Sequence, residues 1–284
     1  MSIPFRKALV CILLLGIAPL FAHAADRPAA PQYVFGVVPQ FEQRKLYAIW
    51  TPIIEAVEKR TNIYLRLETT LTIPEFEKEY VAQKFDFAYM NPYYIVRGVA
   101  PGTYIPLVRD AKPHRGILVV RKNGPIKKIS DLAGKTVAFP TPNALGASLL
   151  IRADLERLFG VTVKPLYVKT HSSVYLHVAT DLAAAGGGVQ KTLQEQDPAL
   201  RNMLTVLYTT QAMPNLPVAA HRRVPADVRE KVRRAFLELG GTEAGRALLA
   251  QIPIQEIAPA TLEEYLVIGT WGLERYWDPN AKGD

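Results

Sequence analysis

The densest cluster of reactive side chains in the sequence combines one imidazole with several hydroxyl groups. His171 is followed directly by Ser172 and Ser173, and Tyr175 comes two residues later. A histidine beside a serine could activate a nucleophile, but an adjacent residue at a helix start is badly placed to act as the base, and no G-x-S-x-G motif occurs. The same groups can donate hydrogen bonds to a small ligand and accept hydrogen bonds from it. The cluster therefore favours binding over catalysis.

Other polar side chains stand in or near loops that follow predicted strands. These further candidates for ligand binding are Gln40, Tyr47, Tyr89, Asn91, Tyr93, Thr141, Asn143 and Gln190. Asn91 precedes a proline, which is typical of a helix N-cap, so the helix that follows would present free amides. Residues 140–146 form a second proline-containing turn before a helix, where amides and the helix dipole suit a small anion or a carbonyl oxygen. An ordinary capped turn without a ligand is the alternative.

One cationic side chain lies where the chain is expected to cross between two halves of the molecule. Arg115 follows His114 and precedes Gly116. Its guanidinium could form a bidentate pair with an anionic ligand, or it could brace the crossing against an acidic side chain. The sequence leaves both roles open.

Motifs for metal binding, cofactor binding and catalysis are missing from the sequence. No H-E-x-x-H motif, no paired carboxylates and no phosphate-binding glycine loop occur, and the glycines at 186–188 do not fit a dinucleotide fingerprint. The only cysteine, Cys11, lies in the N-terminal apolar run. We therefore expect no metal, no cofactor and no catalytic residue, and we predict that the protein is not an enzyme.

Predicted strands and helices alternate in two successive series, which position the loops described above. Repeated strand-helix units with short connections imply mostly parallel sheets covered on both faces, so the predicted fold class is α/β with two lobes and a cleft between them. We predict that residues 32–115 and 213–284 form one lobe and that residues 116–212 form the other, with two hinge crossings. Ligands of open α/β sheets bind beyond the carboxyl ends of strands, which places the loops in the cleft.

The first residues have the features of an export signal. Arg6-Lys7 precedes an unbroken apolar run over 8–21, and small residues occupy positions 22 and 24. The run is too short for a membrane-spanning helix, so we predict a cleavable signal peptide over 1–24 and a periplasmic protein. Residues 25–31, rich in Ala and Pro, are predicted to be a flexible leader.

Composition narrows the class of protein further. The 284 residues are 49% hydrophobic and 21% charged, which is typical of a globular chain and excludes collagen-like, disordered and coiled-coil proteins. The formal net charge is +8, but the basic residues are scattered and do not alternate with aromatic residues. We therefore expect no nucleic-acid partner. We expect a monomer.

Four segments together resemble a known family, the phosphate/phosphite/phosphonate-type periplasmic binding proteins of ABC importers. The segments are residues 85–93 (FDFAYMNPY), 130–139 (SDLAGKTVAF), the turn 142–146 and residues 171–175 (HSSVY). The resemblance implies a type II periplasmic binding protein that closes on a small polar or oxyanionic ligand and presents it to an ABC permease. Two alternatives remain: the partner is a membrane sensor kinase, or the chain is an accessory protein of a periplasmic redox enzyme.

The sequence departs from this family where the ligand's anionic head should be held. The resemblance implies a Ser/Thr-rich run at the start of the second-lobe helix, but this chain has Asn143-Ala144-Leu145. The acidic residue expected in aminophosphonate binders is also absent, since residues 188–190 are Gly-Val-Gln. We therefore do not expect an aminophosphonate ligand, and we expect another small oxyanion or a neutral polar molecule.

Overall fold

The structure is a computed structural model that describes residues 32–97, 99–252 and 254–279. The predicted signal peptide (1–24) and leader (25–31) lie outside the described residues. Within the described ranges, no helix combines the length and apolar character needed to cross a bilayer.

Eleven strands form two sheets within the described residues. In chain order they are β1 (Gln32–Val37), β2 (Tyr64–Thr69), β3 (Phe87–Tyr89), β4 (Tyr104–Asp110), β5 (Gly116–Arg121), β6 (Thr136–Phe139), β7 (Lys164–Tyr167), β8 (Ala185–Val189), β9 (Leu204–Thr209), β10 (Val218–His221) and β11 (Ile257–Pro259). The first sheet has the strand order β11-β4-β10-β3-β1-β2, and the second has the order β7-β6-β8-β5-β9. The first sheet thus takes strands from both ends of the described chain.

Nine α-helices connect or cover these strands in the described part of the chain. They are α1 (Gln43–Thr61), α2 (Ile73–Val81), α3 (Leu150–Arg157), α4 (His171–Ala179), α5 (Gln190–Gln194), α6 (Pro198–Asn202), α7 (Ala226–Gly241), α8 (Glu243–Leu249) and α9 (Leu262–Leu266). Short 3-10 helices span Pro92–Ile95, Ile129–Leu132, Val267–Thr270 and Glu274–Tyr276, and a π-helical turn over Leu145–Leu149 leads directly into α3.

Both sheets are mixed, and the prediction of mostly parallel sheets was wrong on this point. The pairs β1–β2, β1–β3, β6–β7 and β6–β8 are parallel. The remaining pairs, β3–β10, β4–β10, β4–β11, β5–β8 and β5–β9, are antiparallel. Each antiparallel pair includes β4, β5 or β10, which are strands next to the crossings between the sheets. Strands joined through a helix return in the same direction, whereas a strand that arrives directly from the other sheet can run in reverse.

The chain crosses between the sheets twice, and the two crossings pair with each other. The first crossing joins β4 to β5, and the second joins β9 to β10. His114 on the first forms an antiparallel bridge with Met213 on the second, with N···O distances of 3.2 and 2.9 Å. The crossings therefore meet as a short two-stranded connection.

Local sequence explains how α1 packs on the first sheet. One face of the helix carries apolar residues at helical spacing, and these residues are buried: Leu46, Ile49, Trp50, Ile53, Ile54 and Val57. The helix ends at Asn62, whose backbone takes the left-handed conformation with φ of 54°. Asparagine tolerates that conformation better than most residues, so the end of the helix is encoded locally.

The three glycines at 186–188 lie within strand β8. A Cβ on Gly187 would lie 1.9 Å from the carbonyl oxygen of Ala147, and a Cβ on Gly188 would lie 2.2 Å from the hydroxyl of Tyr175. The glycines are needed because α4 and the π-helical turn pack directly on the backbone of this strand. They serve close packing instead of a turn.

Candidate functional site

A cavity lies between the two sheets and is lined mainly by residues that follow strands of both sheets. Its walls are formed by Val38, Gln40, Ile73, Asn91, Pro92, Tyr94, His114, Ala144, Leu145, Gly146, Ala147, His171, Val189, Met213 and Leu216. The cavity offers about 50 Å³ to the centres of water-sized molecules, which is room for roughly four waters. Carboxyl ends of strands from both sheets thus meet around one small space, the usual place for a ligand in this architecture.

Residues at the start of a helical stretch form one wall of the cavity. The helical stretch from Leu145 to Arg157 begins there, and the N–H groups of residues 144–147 donate no hydrogen bond to any described residue. The first N–H groups of a helix have no partner within the helix, and the helix dipole gives this end about half a positive charge. This wall can therefore accept a carboxylate, another oxyanion or a carbonyl oxygen.

Three side chains on the cavity wall also have uncommitted polar groups. Gln40, His114 and His171 are each at most 9% exposed, and their side chains form no hydrogen bond with any described residue. The Nδ1 atom of His171 is fully enclosed and unpaired. An unpaired buried polar atom costs free energy, so these groups gain most when a polar ligand is present.

Both histidines are neutral at physiological pH. Burial lowers the pKa of His171 to about 4, and the nearby imidazole of His114 lowers it further in the same direction. Burial likewise lowers the pKa of His114 to about 4, although the carboxylate of Asp110 opposes this shift. A neutral imidazole has one N–H donor and one acceptor nitrogen, so each ring can take either role toward a ligand.

A hydrogen-bonded cluster behind the cavity joins the turn before α3 to the first sheet's side. Asn91 Nδ2 donates to the carbonyl of Asn143 at 2.7 Å, and Asn143 Nδ2 donates to Glu77 at 3.1 Å. Glu77 also accepts a bond of 2.5 Å from the hydroxyl of Tyr94. Burial raises the pKa of Glu77 to about 7, while its hydrogen bonds with Tyr94 and Asn143 oppose that shift.

The C-terminal residues add a further connection between the two sides. The backbone N–H of Asp278 donates to Asn143 Oδ1 at 2.9 Å, and Asn143 Nδ2 donates to the carbonyl of Asp278 at 2.8 Å. Arg152 on α3 donates to the carbonyls of Pro142 and Tyr276 at 2.7 and 2.6 Å. The segment around Tyr276 is thus fastened to α3 and to the turn that lines the cavity.

Three of the side chains predicted from sequence stand on the cavity wall. They are Gln40, Asn91 and His171. Asn91 also caps the following 3-10 helix, since its Oδ1 accepts from the backbone N–H of Tyr93 at 3.0 Å. Thr141 and Asn143 are buried but do not line the cavity, and the side chain of Asn143 is committed to Glu77 and Asp278.

Three predicted tyrosines are buried away from the cavity. Tyr89 stacks near Trp50, with ring centroids 5.0 Å apart, and its hydroxyl has no partner among the described residues. Tyr93 packs against Trp277, with ring centroids 5.3 Å apart. Tyr175 donates to the carbonyl of Val189 at 3.1 Å and shares a hydrogen bond with Thr192. The structure therefore gives these rings packing contacts and does not place them on the wall.

The remaining predicted residues also lie off the cavity wall. Arg115 is exposed and donates to the carbonyl of Thr210 at 2.9 Å, so it braces the crossing through a backbone oxygen. Tyr47, Ser172 and Gln190 are exposed. Ser173 is part-buried, and its hydroxyl accepts from Thr170 at 2.9 Å.

Sequence reasoning missed several residues of the cavity and its surroundings. His114 lines the wall, whereas its neighbour Arg115 is exposed. Successive side chains of an extended segment point to opposite sides, and this alternation is the signal that could have distinguished the two residues. Met213 and Leu216 come from the second crossing, and nothing in their local sequence marks them. Glu77 sits inside a helix among other acidic residues, where only burial distinguishes it.

The fold and the site define a class of protein. It is a binding protein with two sheets, which two paired crossings join, and a cavity between the sheets whose wall carries uncommitted polar groups. The chain belongs to the family described as the periplasmic substrate-binding protein of phosphonate ABC transporters, whose family model matches residues 35–265. Members of this family are binding components of transport systems and not enzymes. The predicted fold class of a type II periplasmic binding protein, the predicted periplasmic location and the resemblance are confirmed at this level.

Solved structures share this fold at low sequence identity. A binding protein component of an ABC phosphonate transporter from Pseudomonas aeruginosa is 16% identical, with a TM-score of 0.75 and coverage of 86% of each chain. PhnD1 from Prochlorococcus marinus in complex with methylphosphonate is 13% identical, with a TM-score of 0.76 and coverage of 86% of this chain and 97% of that chain. A Xanthomonas citri protein bound to chloride ion is 15% identical, with a TM-score of 0.70 and coverage of 86% and 98%. No curated protein sequence matches the chain.

Proposed function

We propose that this protein captures one small polar or oxyanionic solute in the cavity between its sheets and delivers it to an ABC permease. The observation that supports this most directly is the convergence of uncommitted polar groups from both sheets on one small cavity. The amides of residues 144–147 and the side chains of His171 and Gln40 meet there. Their hydrogen-bonding capacity is met when a polar ligand is bound.

Capture works by closure of the two sides around the ligand. The hydrogen bonds of Asn143 with Asn91, Glu77 and Asp278 span the two sides, so they form only when the sides are together. A ligand that contacts both walls adds free energy to the closed state alone and shifts the equilibrium toward it. The permease can then distinguish the loaded protein by its shape.

The bound species of two neighbours agree with a small anion as ligand. One neighbour is in complex with methylphosphonate and another is bound to chloride ion. The hydroxyl-rich turn that the family resemblance implies is replaced here by Asn143-Ala144-Leu145. We therefore assign recognition to the backbone amides and the two imidazoles, and we do not propose an aminophosphonate.

A comparison of two histidines on helix α4 tests this assignment. His171 lines the cavity, whereas His177 bonds the carbonyl of Ser173 in its own helix at 2.7 Å. Calorimetry with formate, acetate, methanesulfonate, phosphate and methylphosphonate identifies a ligand for the unmodified protein. His171→Ala should weaken that ligand at least about tenfold, the effect of losing about 1.4 kcal/mol, and His177→Ala should not. Equal affinities in both variants would place the ligand elsewhere.

Two further predictions from sequence belong to the same proposal. The lobes comprise residues 32–115 with 213–284 and residues 116–212, and the chain is exported with loss of residues 1–24. N-terminal sequencing of the periplasmic protein should begin at Ala25. A start at Met1 would contradict the cleavage.

A further inference from the structure

Ionised side chains are absent from the described wall of the cavity. All its lining residues are apolar or neutral, apart from the two histidines, and burial holds the pKa of each histidine at about 4. Among the described residues, no lysine or arginine lines the space. A buried charge that meets no opposite charge must be stabilised by hydrogen bonds and dipoles alone.

The stabilisation available on the wall suits one negative charge and not two. The start of the helix contributes about half a positive charge together with the N–H groups of residues 144–147. The imidazole of His171 lies on the same wall and forms no hydrogen bond with any described residue, and its buried Nδ1 is an independent observation of unmet hydrogen-bonding capacity. A second negative charge would meet no further positive group there.

Two charged side chains contact the turn before the helix, and they offset each other. Arg152 donates to the carbonyl of Pro142, and Glu77 accepts from the side chain of Asn143. Neither lines the cavity, and both are already bonded to protein groups. Once Glu77 ionises, the pair adds little net charge, so the helix dipole remains the main source of positive potential.

Size and lining limit the rest of the ligand. Room for roughly four waters admits a molecule of about four or five non-hydrogen atoms. The side chains of Ile73, Val189, Met213 and Leu216 leave part of the wall without any hydrogen-bonding group. A methyl group or a similar short apolar group fits against that part.

We infer that the cavity selects a singly charged oxyanion with one short apolar group, such as a small carboxylate or sulfonate, over a doubly charged anion of the same shape. This inference rests on the proposed function, because it concerns the ligand of the same cavity. It differs from that proposal in naming the charge of the ligand. The recognition elements are the four amides, His171 and the apolar wall.

Methanesulfonate and methylphosphonate form a matched pair that isolates charge, since both have a tetrahedral head and one methyl group. Methanesulfonate is a monoanion throughout, whereas methylphosphonate gains a second negative charge as the pH rises to about 9. Calorimetry at about pH 5.5 and about pH 9 gives both affinities, and methanesulfonate corrects for titration of the protein itself. The ratio of the two affinities should shift at least about tenfold toward methanesulfonate at the higher pH.

A second variant tests the same inference from the protein's side. Gln40→Lys places a cation on the cavity wall, and the matched control Gln251→Lys adds the same charge at an exposed position off the wall. Gln40→Lys should move the preference toward doubly charged methylphosphonate by about tenfold, whereas Gln251→Lys should leave the ratio unchanged.

Three results have distinct meanings. Tighter binding of doubly charged methylphosphonate than of methanesulfonate by the unmodified protein would overturn the inference and leave the proposed function standing. Equal binding of both ions at both pH values would also overturn it. Failure of every small anion in the panel to bind would overturn the proposed function together with the inference.

Discussion

Replacement of Glu77 by glutamine is expected to change how the stability of the protein depends on pH. Glu77 is 7% exposed, and burial raises its pKa from 4.5 to about 7. Each pKa unit corresponds to about 1.4 kcal/mol, so ionisation of this carboxyl costs the folded state about 3 kcal/mol. Glutamine keeps nearly the same shape and can still bond Tyr94 and Asn143 while it never ionises.

The sign of the effect follows from the direction of the shift. The folded-state pKa of Glu77 is raised, so its contribution to stability is fully present below pH 4.5, where the carboxyl is protonated in both states. As the pH rises, the unfolded chain ionises first, and stability is lost until the folded carboxyl also ionises at about pH 7. Glu77→Gln should remove this loss of about 3 kcal/mol.

Urea unfolding across about pH 4 to 9 measures the difference. The free energy of unfolding of Glu77→Gln relative to the unmodified protein should rise by about 3 kcal/mol across that interval. Glu55→Gln provides the control, because Glu55 is exposed on α1 and should show no such rise. Titration of His114 and His171 is common to all three proteins and cancels. Parallel curves for Glu77→Gln and the unmodified protein would refute the argument that burial governs this carboxyl.

Further substitutions test three other kinds of contact, each by urea unfolding. Tyr89→Phe should leave the free energy of unfolding unchanged or raise it by up to about 1 kcal/mol, because the hydroxyl that it removes is unpaired. Tyr175→Phe should lower the free energy of unfolding by about 1 kcal/mol, because the hydroxyl of Tyr175 forms hydrogen bonds. Similar losses in both would contradict this. Asn143→Ala should lower the free energy of unfolding by about 2 kcal/mol or more, because Glu77 and the backbone of Asp278 each lose a hydrogen bond. A loss under about 0.5 kcal/mol would mean that the hydrogen bonds of Asn143 contribute little to stability. Gly187→Ala should lower the free energy of unfolding by about 1–3 kcal/mol, because the added methyl group would overlap the backbone of Ala147. Gly241→Ala is the control, because a Cβ there has no neighbour within 4 Å, and equal effects of the two substitutions would count against close packing at β8.

Local patterns predicted most of the elements correctly. The apolar stripe of α1 and the proline after Asn91 identify a helix and a helix start, and both occur in the structure. The sequence leaves the role of the glycines at 186–188 open, because glycine occurs both in turns and at close contacts and residue type alone does not distinguish the two uses. Only the packing of α4 and the π-helical turn on β8 reveals which use applies.

The candidate site was only partly predictable for a similar reason. His171 and Gln40 follow strands, and the carboxyl ends of those strands point toward the cavity. Tyr89 also stands at a strand end, yet its ring turns into the core beside Trp50. Which side of the strand a side chain occupies depends on the register of neighbouring strands, and that is a property of the assembled sheet.

The amino-acid sequence alone determined that the chain alternates strands and helices, that it lacks catalytic and metal-binding motifs, and that its turn before α3 has no hydroxyl run. These features depend on residue types within short stretches, where local geometry and side-chain chemistry decide. Tertiary structure decided that His114 and Met213 face the cavity, that Asn143 connects the two sides, and that Glu77 is buried. Those properties arise from contacts between residues far apart in the chain, and burial, which only folding creates, then sets the charge of the site.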